Sequence, residues 1–170
     1  MKAVRALAVA VLALLAVASC SEPTSNNNAP QADLIGSLLK PTGLLQCSAL
    51  PAATSSATIG AAGGTISAGP HSLYIPPGAL SAPTTITMTV PTGLGVNAVQ
   101  FQPAGLQFAK PAALTMSYAN CSLLGKLLPK RIAYTSDDLS ILSYLLSLDN
   151  ILSKRVTGQV NHFSDYVVAW

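Results

Sequence analysis

Charged and aromatic side chains are scarce in this chain of 170 residues. Charged residues make up 9% of the sequence, against about 25% in an average soluble domain, and aromatic residues make up 5%. The low charge excludes a long charged disordered chain and a coiled coil with charged flanks. The length leaves room for one domain and little more.

The sequence also lacks an apolar run long enough to cross a bilayer as a helix. Its uninterrupted apolar run, residues 6–18, has 13 residues, whereas a transmembrane helix needs about 20. Lys2 and Arg5 precede this run, and small residues follow it. A charged start, a short apolar run and small residues are typical of a secretory signal peptide. We therefore predict that residues 1–19 are a signal peptide and that the protein is exported.

The sequence Val-Ala-Ser-Cys at residues 17–20 resembles the lipobox of bacterial lipoproteins. The resemblance implies that diacylglycerol is attached to the sulfur of Cys20, that cleavage precedes this residue, and that its new amine is acylated, for example by palmitate. Several acyl chains anchor a protein durably in a membrane. Ser21 follows the cysteine where an Asp often signals inner-membrane retention, which favours the outer membrane. The alternative is an ordinary signal peptide in which Cys20 stands by chance.

A polar segment follows Cys20. Residues 21–31 have no apolar periodicity, and they predict a flexible tether. Residues 34–39 carry Leu and Ile at helical spacing before Pro41, which predicts a short helix that is stable only if it docks on the domain. We therefore assign residues 20–56 to the lipidated cysteine, the tether and a docking segment.

From residue 57 onward, short β-rich runs alternate with Gly and Pro at intervals of about ten residues, which is typical of an all-β sandwich. In residues 84–90 the apolar Ile86, Met88 and Val90 alternate with threonines. One face of this strand is therefore expected to be buried and the other to face solvent. We predict an antiparallel β-sandwich of nine or ten short strands over residues 57–170. The predicted strands are residues 57–60, 64–68, 72–75, 84–90, 98–102, 112–118, 131–135, 141–145, 155–160 and 165–170.

The segment of residues 138–152 is compatible with two structures. Its leucines, together with Asp137 and Asp138 at its start, suit a capped helix. Strands joined by a turn fit the same residues, and we favour this second interpretation.

Cysteine is rare, with three in the chain. Once Cys20 is lipidated, Cys47 and Cys121 remain, and an even pair in an exported protein predicts a disulfide. The bond would also hold the residues before Cys47 against the sandwich. The alternative is a pair of buried free thiols, and a catalytic cysteine has no supporting sequence pattern.

Motifs for metals, cofactors and nucleic acid are absent from the sequence. His71 and His162 stand alone, and there is no Cys-x-x-Cys, His-x-x-x-His or glycine-rich phosphate motif. Removal of the signal peptide leaves seven Lys and Arg against six Asp and Glu, without a basic cluster that tracks phosphates. We therefore predict no metal, no cofactor, no nucleic-acid partner and no classical enzymatic activity.

Four sequence blocks, in the same order, resemble the ZU-five domain, a module of ankyrins, netrin receptors, zonula occludens proteins and many bacterial envelope proteins. The resemblance implies a β-sandwich over about residues 57–170 that binds other proteins and is not an enzyme. The partners of the animal proteins do not transfer to this chain. The blocks are Gly-Gly-Thr-Ile at residues 63–66, Tyr-Ile-Pro-Pro-Gly-Ala-Leu at 74–80, Phe-Gln-Pro-Ala-Gly-Leu-Gln-Phe at 101–108 with Lys110 and Pro111, and Val-Asn-His-Phe-Ser-Asp-Tyr at 160–166.

The triplet His162, Phe163 and Ser164 raises a sharper possibility, because some ZU-five domains cut themselves between the Phe and Ser of this motif. The resemblance implies attack by the Ser164 hydroxyl on the preceding carbonyl, with His162 as the base. We favour the alternative in which His162 and Ser164 bond to the backbone of a turn and Phe163 fills the core, so no catalytic residue is assigned.

A glycan-binding surface module is the third function class. Such sites use exposed aromatic platforms, whereas the five tyrosines here fall within predicted strands, where packing in the sandwich is expected. The partners expected from the sequence are the lipid bilayer, through acylated Cys20, and an unidentified envelope protein or glycan. The tyrosines are Tyr74, Tyr118, Tyr134, Tyr144 and Tyr166, and Trp170 is the single tryptophan.

Overall fold

A computed structural model of the chain describes residues 43–123 and 128–170, which form eleven β-strands and no helix. The predicted signal peptide, Cys20, the tether and the helix at residues 34–39 lie outside the described residues. Within the described ranges no helix is long and apolar enough to span a membrane. The strands are β1 (Ala53–Ile59), β2 (Gly64–Ala68), β3 (His71–Ile75), β4 (Thr84–Val90), β5 (Ala98–Gln102), β6 (Gln107–Ser117), β7 (Arg131–Thr135), β8 (Ile141–Tyr144), β9 (Ser147–Asn150), β10 (Arg155–His162) and β11 (Asp165–Ala169).

The strands form two antiparallel sheets, which confirms the predicted all-β sandwich. One sheet has six strands in the order β1-β4-β5-β11-β7-β8, and the other has five in the order β2-β3-β6-β10-β9. The alternation predicted for β4 is observed, with Ile86, Met88 and Val90 buried. These side chains share one core with residues of the five-stranded sheet such as Leu73 and Leu114. The hydrophobic faces of both sheets are therefore buried against each other.

Strand β1 begins at Ala53, four residues before the predicted start. The sequence there is rich in Ser and Thr, which is typical of loops. The strand forms because its hydroxyls pair across the ladder with those of β4: Ser56 Oγ lies 2.7 Å from Thr87 Oγ1, and Thr58 Oγ1 lies 3.0 Å from Thr85 Oγ1. Cross-strand hydroxyl pairs stabilise the solvent-exposed face of a sheet.

Strand β6 begins at Gln107, five residues before the predicted start. The observed strand includes Pro111, which cannot donate a ladder hydrogen bond. The register between β6 and β10 shifts at this point, from Val160 opposite Ala112 to His162 opposite Gln107. The bulge accommodates the proline inside a continuous strand. At the remaining strands the predicted bounds differ by one or two residues or agree.

Residues 138–152 form strands, as predicted, and the capped helix is excluded. Strand β8 lies at one edge of the six-stranded sheet and β9 at one edge of the five-stranded sheet. The chain therefore crosses from one sheet to the other between Tyr144 and Ser147, on one side of the sandwich. Strand β9 was not predicted as a separate strand. Ser147 and Asp149 are its less exposed residues, whereas Leu148 and Asn150 face solvent.

The Pro-Pro-Gly block of residues 76–78 ends β3 and reverses the chain, as predicted. Gly78 has φ of +77° and donates its N–H to the Ala61 carbonyl at 2.8 Å. Gly63 has φ of +73°, and a Cβ there would lie 2.4 Å from the Ile75 carbonyl oxygen. Both positions therefore require glycine, because other side chains would be strained or would clash.

A disulfide joins Cys47 to Cys121, as predicted, with the two Cα atoms 3.8 Å apart. It links the segment before β1 to the residues that follow β6. Flanking backbone hydrogen bonds run from Ser48 N–H to the Asn120 carbonyl at 2.9 Å and from Ser122 N–H to the Gln46 carbonyl at 2.8 Å. The first described segment is therefore part of the folded domain.

This segment also lies beside the end of β11, with Leu45 in the main core between the sheets and Leu44 outside that core. Leu44 pairs with Ala169 in an isolated β-bridge, and Trp170 N–H donates to the Gly43 carbonyl at 2.9 Å. Leu44 belongs to a second, smaller buried cluster with Ala133 and Val167. The segment thus covers apolar surface that the sandwich core does not reach.

Candidate functional site

An open cleft of about 620 Å³ lies at the end of the sandwich where β5 ends and β11 begins. It contains the His-Phe-Ser triplet, which connects β10 to β11. Most of its lining is polar. The lining residues are Thr89, Gln100, Phe101, Gln102, Ala104, Gly105, Tyr134, Asp137, His162, Phe163, Ser164 and Asp165.

Phe163 fills the core, as predicted for the favoured interpretation of the triplet. Its side chain is fully buried, and its ring stacks on Phe101 with the centroids 4.7 Å apart. The edge of a second ring, Phe108, lies at a centroid distance of 5.1 Å. The backbone is also held, because Phe163 N–H donates to the Leu106 carbonyl at 2.8 Å. Stacked and edge-to-face aromatic pairs add to the free energy gained by burial alone.

The side chains of His162 and Ser164 are half-buried in the cleft. The favoured interpretation gave them hydrogen bonds to the turn backbone, and this part is wrong: among the described residues neither side chain has a hydrogen-bond partner. The turn is held instead by the Tyr166 hydroxyl, which donates to the His162 carbonyl. The His162 ring contacts Tyr134 edge to face, with centroids 5.3 Å apart. A turn held by Tyr166 leaves both neighbouring side chains available to a ligand.

One feature of the triplet is relevant to peptide-bond cleavage. Gly105 N–H donates to the Phe163 carbonyl at 3.1 Å, and this is the carbonyl that Ser164 would attack. A backbone N–H in this position can stabilise a developing oxyanion. The second requirement, a hydrogen bond between the nucleophile and its base, is not met in this geometry, because Ser164 and His162 are not bonded to each other.

The other polar groups of the cleft divide into two sets. Gln100 Nε2 donates to Asp165 Oδ2 at 3.1 Å, and Gln102 Oε1 accepts from Ala104 N–H at 3.1 Å, so these side chains support one another and the turn. The Tyr134 hydroxyl and the Asp137 carboxylate have no hydrogen-bond partner within residues 43–123 and 128–170. Together with His162 and Ser164 they present both donors and acceptors to the cleft.

Sequence reasoning singled out the triplet His162, Phe163 and Ser164 and assigned no site role to the other lining residues. Gln100 and Gln102 lie on β5, Tyr134 on β7, and Asp137 in the turn after β7. They come together because β11 pairs with both β5 and β7. No local spacing in the sequence could have identified this group.

His71 lies at the other end of the sandwich and is fully buried. Ser117 N–H donates to its Nδ1 at 3.1 Å, so the ring proton resides on Nε2. Burial, followed by the positive charge of Arg155, lowers the pKa of His71 to about 4. His71 is therefore neutral at physiological pH. Among the described residues no group of three or more His, Cys, Asp or Glu side chains could hold a metal ion.

The five tyrosines differ in their solvent exposure. Tyr118 and Tyr166 are buried, as predicted, and burial is the largest cause that raises the pKa of each hydroxyl above its ordinary value. Tyr134 is half-buried and lines the cleft. The prediction is wrong for Tyr74 and Tyr144, which are exposed because they lie on outer faces of β3 and β8.

A second surface feature is an apolar strip on the side formed by β8, β9 and the turn before β10, which we call the apolar edge. Leu146 and Leu148 are 76% and 78% exposed, and Leu152 is 98% exposed. Leu142 and Ile151 complete it. Large apolar side chains are usually buried, and exposed apolar patches of soluble proteins mark interaction surfaces.

Comparisons with known proteins do not assign the chain to a family. A scan of the chain against protein-family models found no matching model, and a search of curated proteins found no matching protein. The resemblance to ZU-five domains therefore stays an expectation from the sequence, and the family of this β-sandwich is not assigned.

Proposed function

We propose that this protein is a membrane-anchored envelope lipoprotein whose β-sandwich is a non-enzymatic interaction module. The observation that carries the proposal is the open cleft around the His-Phe-Ser triplet. The side chains of Tyr134, Asp137, His162 and Ser164 line it and have no hydrogen-bond partners among the described residues. Unpaired polar side chains of this kind gain hydrogen bonds when a polar partner binds.

The membrane anchor is supported by the sequence of residues 17–20 and by the polar segment that follows. An acylated Cys20 would hold the protein at the membrane, favouring the outer membrane, and residues 21–42 would connect it to the sandwich. The disulfide also fits an exported protein, since such bonds persist in oxidising compartments.

The partner that best fits the cleft is a polar segment of an envelope protein. The cleft is open and offers donors and acceptors rather than an aromatic platform, because the Tyr134 ring already contacts His162 and Tyr166. The exposed rings of Tyr74 and Tyr144 lie outside the cleft. A glycan would need an accessible ring face on which to stack, so a protein segment is favoured over a sugar.

Site-specific photo-crosslinking in the native envelope tests this proposal. A photoreactive residue at Asp137, on the rim of the cleft, should capture one protein, and a second substitution, Tyr134→Ala, should reduce that capture at least fivefold. The same photoreactive residue at Ser67, on the exposed face of β2, is the matched control. Equal capture of the same protein from both positions, or capture unaffected by Tyr134→Ala, would contradict a role for the cleft.

A second candidate function is self-cleavage between Phe163 and Ser164. The hydrogen bond from Gly105 N–H to the Phe163 carbonyl favours it, because the donor lies where an oxyanion would form. The missing hydrogen bond between Ser164 and His162 argues against it. The mass of the denatured protein decides between the two.

A further inference from the structure

The tip of the apolar edge is directly followed by positive charge. Ile151 and Leu152 lie in the exposed turn between β9 and β10, and Lys154 and Arg155 follow after Ser153. All four side chains are exposed. Apolar side chains beside cations are the composition of surfaces that bind the membrane interface.

The strand registers place a third exposed cation at the same end of the sandwich. Arg155, at the start of β10, pairs with Ser117 at the end of β6. Arg131 begins β7, and the Tyr134 ring farther along β7 contacts His162 at the far end of β10. Because β7 and β10 thus run side by side in the two sheets, Arg131 and Arg155 lie at the same end. We call this end the basic end.

Negative charge is concentrated at the opposite end. Asp165 begins β11 and pairs with Thr135, the last residue of β7, and Asp137 and Asp138 lie in the turn that follows. Within the described part of the chain, three of the four side-chain carboxylates therefore lie at this end, and three of the four exposed cations lie at the basic end. The candidate cleft, which contains Asp137 and Asp165, lies at this acidic end.

The carboxylate at the basic end is already engaged. Asp149 Oδ1 accepts from the Tyr118 hydroxyl at 2.6 Å, and its Oδ2 accepts from Lys130 N–H at 2.8 Å. No ion pair joins Arg131, Lys154 or Arg155 to a carboxylate within residues 43–123 and 128–170. Arg131 lies over the Tyr144 ring, with its guanidinium carbon 5.5 Å from the ring centroid, and this contact leaves its positive charge without a neutralising carboxylate, as for Lys154 and Arg155.

The chain that precedes the described residues joins the domain at this same end. Gly43 accepts a hydrogen bond from Trp170 N–H, and Leu44 lies opposite Ala169, which in turn pairs with Arg131. Residues 21–42 separate Gly43 from Cys20. An anchor at Cys20 would therefore be connected to the domain at its basic end.

We propose that the apolar edge and the cations of the basic end dock on an anionic lipid surface. Ile151 and Leu152 insert among the headgroups, while Arg131, Lys154 and Arg155 bind lipid phosphates. This inference rests on the proposed membrane-anchored function and deepens it. The cleft then points away from the bilayer, where a partner can reach it.

Vesicle flotation tests the docking. The probe protein is the mature chain from residue 20 with Cys20→Ser, so that no acyl chain carries it to the vesicle. Vesicles contain phosphatidylcholine alone or phosphatidylcholine with 30% phosphatidylglycerol. We expect binding to the anionic vesicles only, a loss of at least tenfold when both Ile151 and Leu152 are changed to Ser, and a similar loss in 0.5 M salt, which screens the charges.

Matched variants separate docking from general effects. Tyr74→Ser removes an exposed apolar side chain of β3, and Lys110→Gln removes a cation outside the basic end, so both should bind as the parent does. Lys154→Gln together with Arg155→Gln should weaken binding at least fivefold. Circular dichroism and an intact Cys47–Cys121 bond in every variant control for folding.

Three outcomes would overturn the proposal: no binding to anionic vesicles, equal binding to neutral ones, or equal loss in the Tyr74→Ser control. Concentration-dependent self-association that Ile151→Ser with Leu152→Ser abolishes, without vesicle binding, would assign the edge to a second copy of the chain instead. The crosslink at Asp137 tests the proposed function of the cleft separately. A failure of membrane docking can therefore be distinguished from a failure of the cleft proposal.

Discussion

The backbone N–H of Gly105 donates a hydrogen bond to the carbonyl oxygen of Phe163 at a distance of 3.1 Å. The bond ties the turn between β5 and β6 to the connection between β10 and β11. It is compatible with two roles, since it can fix the backbone beside a binding cleft or polarise a carbonyl for attack by Ser164. The side chains around it decide between the roles.

We expect the Phe163–Ser164 peptide bond to remain intact. Ser164 has no hydrogen bond to His162, and within the described residues the left-handed non-glycine positions are Leu139 and Lys154, both outside the triplet. Neither an activated nucleophile nor backbone strain is therefore present. Mass spectrometry under denaturing conditions should give one full-length mass for the wild type and for Ser164→Ala.

Denaturing conditions are needed because β11 lies between β5 and β7 in the sheet, so a cut strand would stay in place. A mass ending at Phe163 that is abolished by Ser164→Ala and unaffected by protease inhibitors would identify Ser164 as a nucleophile.

Replacement of the central residue of the triplet should destabilise the fold. Phe163→Ala removes a buried ring between Phe101 and Phe108, and we expect the free energy of unfolding to fall by about 4 kcal/mol. Urea unfolding measures this change. Tyr74→Ala, at an exposed position, is the control and should change stability by less than about 0.5 kcal/mol. A loss below 1 kcal/mol at Phe163 would show that the ring does not support the core as described.

The disulfide between Cys47 and Cys121 should contribute substantially to stability. It closes a loop of 74 residues, for which loop entropy in the unfolded chain corresponds to about 4 kcal/mol. The double variant Cys47→Ser, Cys121→Ser should lose this amount in urea unfolding. In the Cys20→Ser chain, alkylation without reductant should add no mass, and two alkylated thiols would disprove the bond.

The free energy of unfolding should decrease as the pH is lowered, and we attribute this decrease to His71. Its pKa is about 4 in the folded protein and 6.5 when the ring is free, so between these values the unfolded chain binds a proton that the folded chain does not. From pH 7.5 to pH 5 this linkage removes about 2 kcal/mol. His71→Asn keeps an acceptor for Ser117 N–H and should lose that much less stability over the same interval. Parallel pH dependence in the two proteins would exclude His71 as the cause.

Lipidation is expected at Cys20. Cells given a labelled fatty acid should incorporate the label into the wild-type protein and not into Cys20→Ala, because the thiol is the predicted acceptor of the diacylglycerol. Cys47→Ser with Cys121→Ser is a matched control that should remain labelled. Equal labelling of the wild type and Cys20→Ala would remove the basis for a membrane anchor.

Much of the fold could be predicted because burial on one sheet face imposes a period of two on the sequence. Residues 84–90 and 64–68 were predicted with the bounds observed for β4 and β2. Compositional rules failed where polar residues form strands. The first residues of β1 look like a loop in isolation, and only the hydroxyl pairs with β4, such as Ser56 with Thr87, make them a strand.

Strand β9 inverts the usual pattern, which explains why it was missed. Ser147 Oγ accepts from Ile132 N–H at 3.1 Å, and Asp149 accepts from the Tyr118 hydroxyl, so polar side chains point inward. Leu148 points outward. An alternation rule that assigns apolar residues to the core cannot describe such an edge strand.

The candidate site was the least predictable part. His162 and Ser164 were identified through a motif, whereas Gln100, Tyr134 and Asp137 reach the cleft only because of strand order in the sheet. Strand order depends on pairings between segments far apart in the chain, and a single sequence does not contain that information in local form.

The disulfide also determines how the domain would bear mechanical force. A pull on the residues before Gly43 would first load the hydrogen bond from Trp170 and the bridge between Leu44 and Ala169, and both can be peeled apart. Peeling would stop at Cys47, because the covalent bond to Cys121 transfers the load past β1 to the end of β6. If the proposed anchor at Cys20 exists, tension on it would thus break a few terminal contacts while the sandwich stays closed.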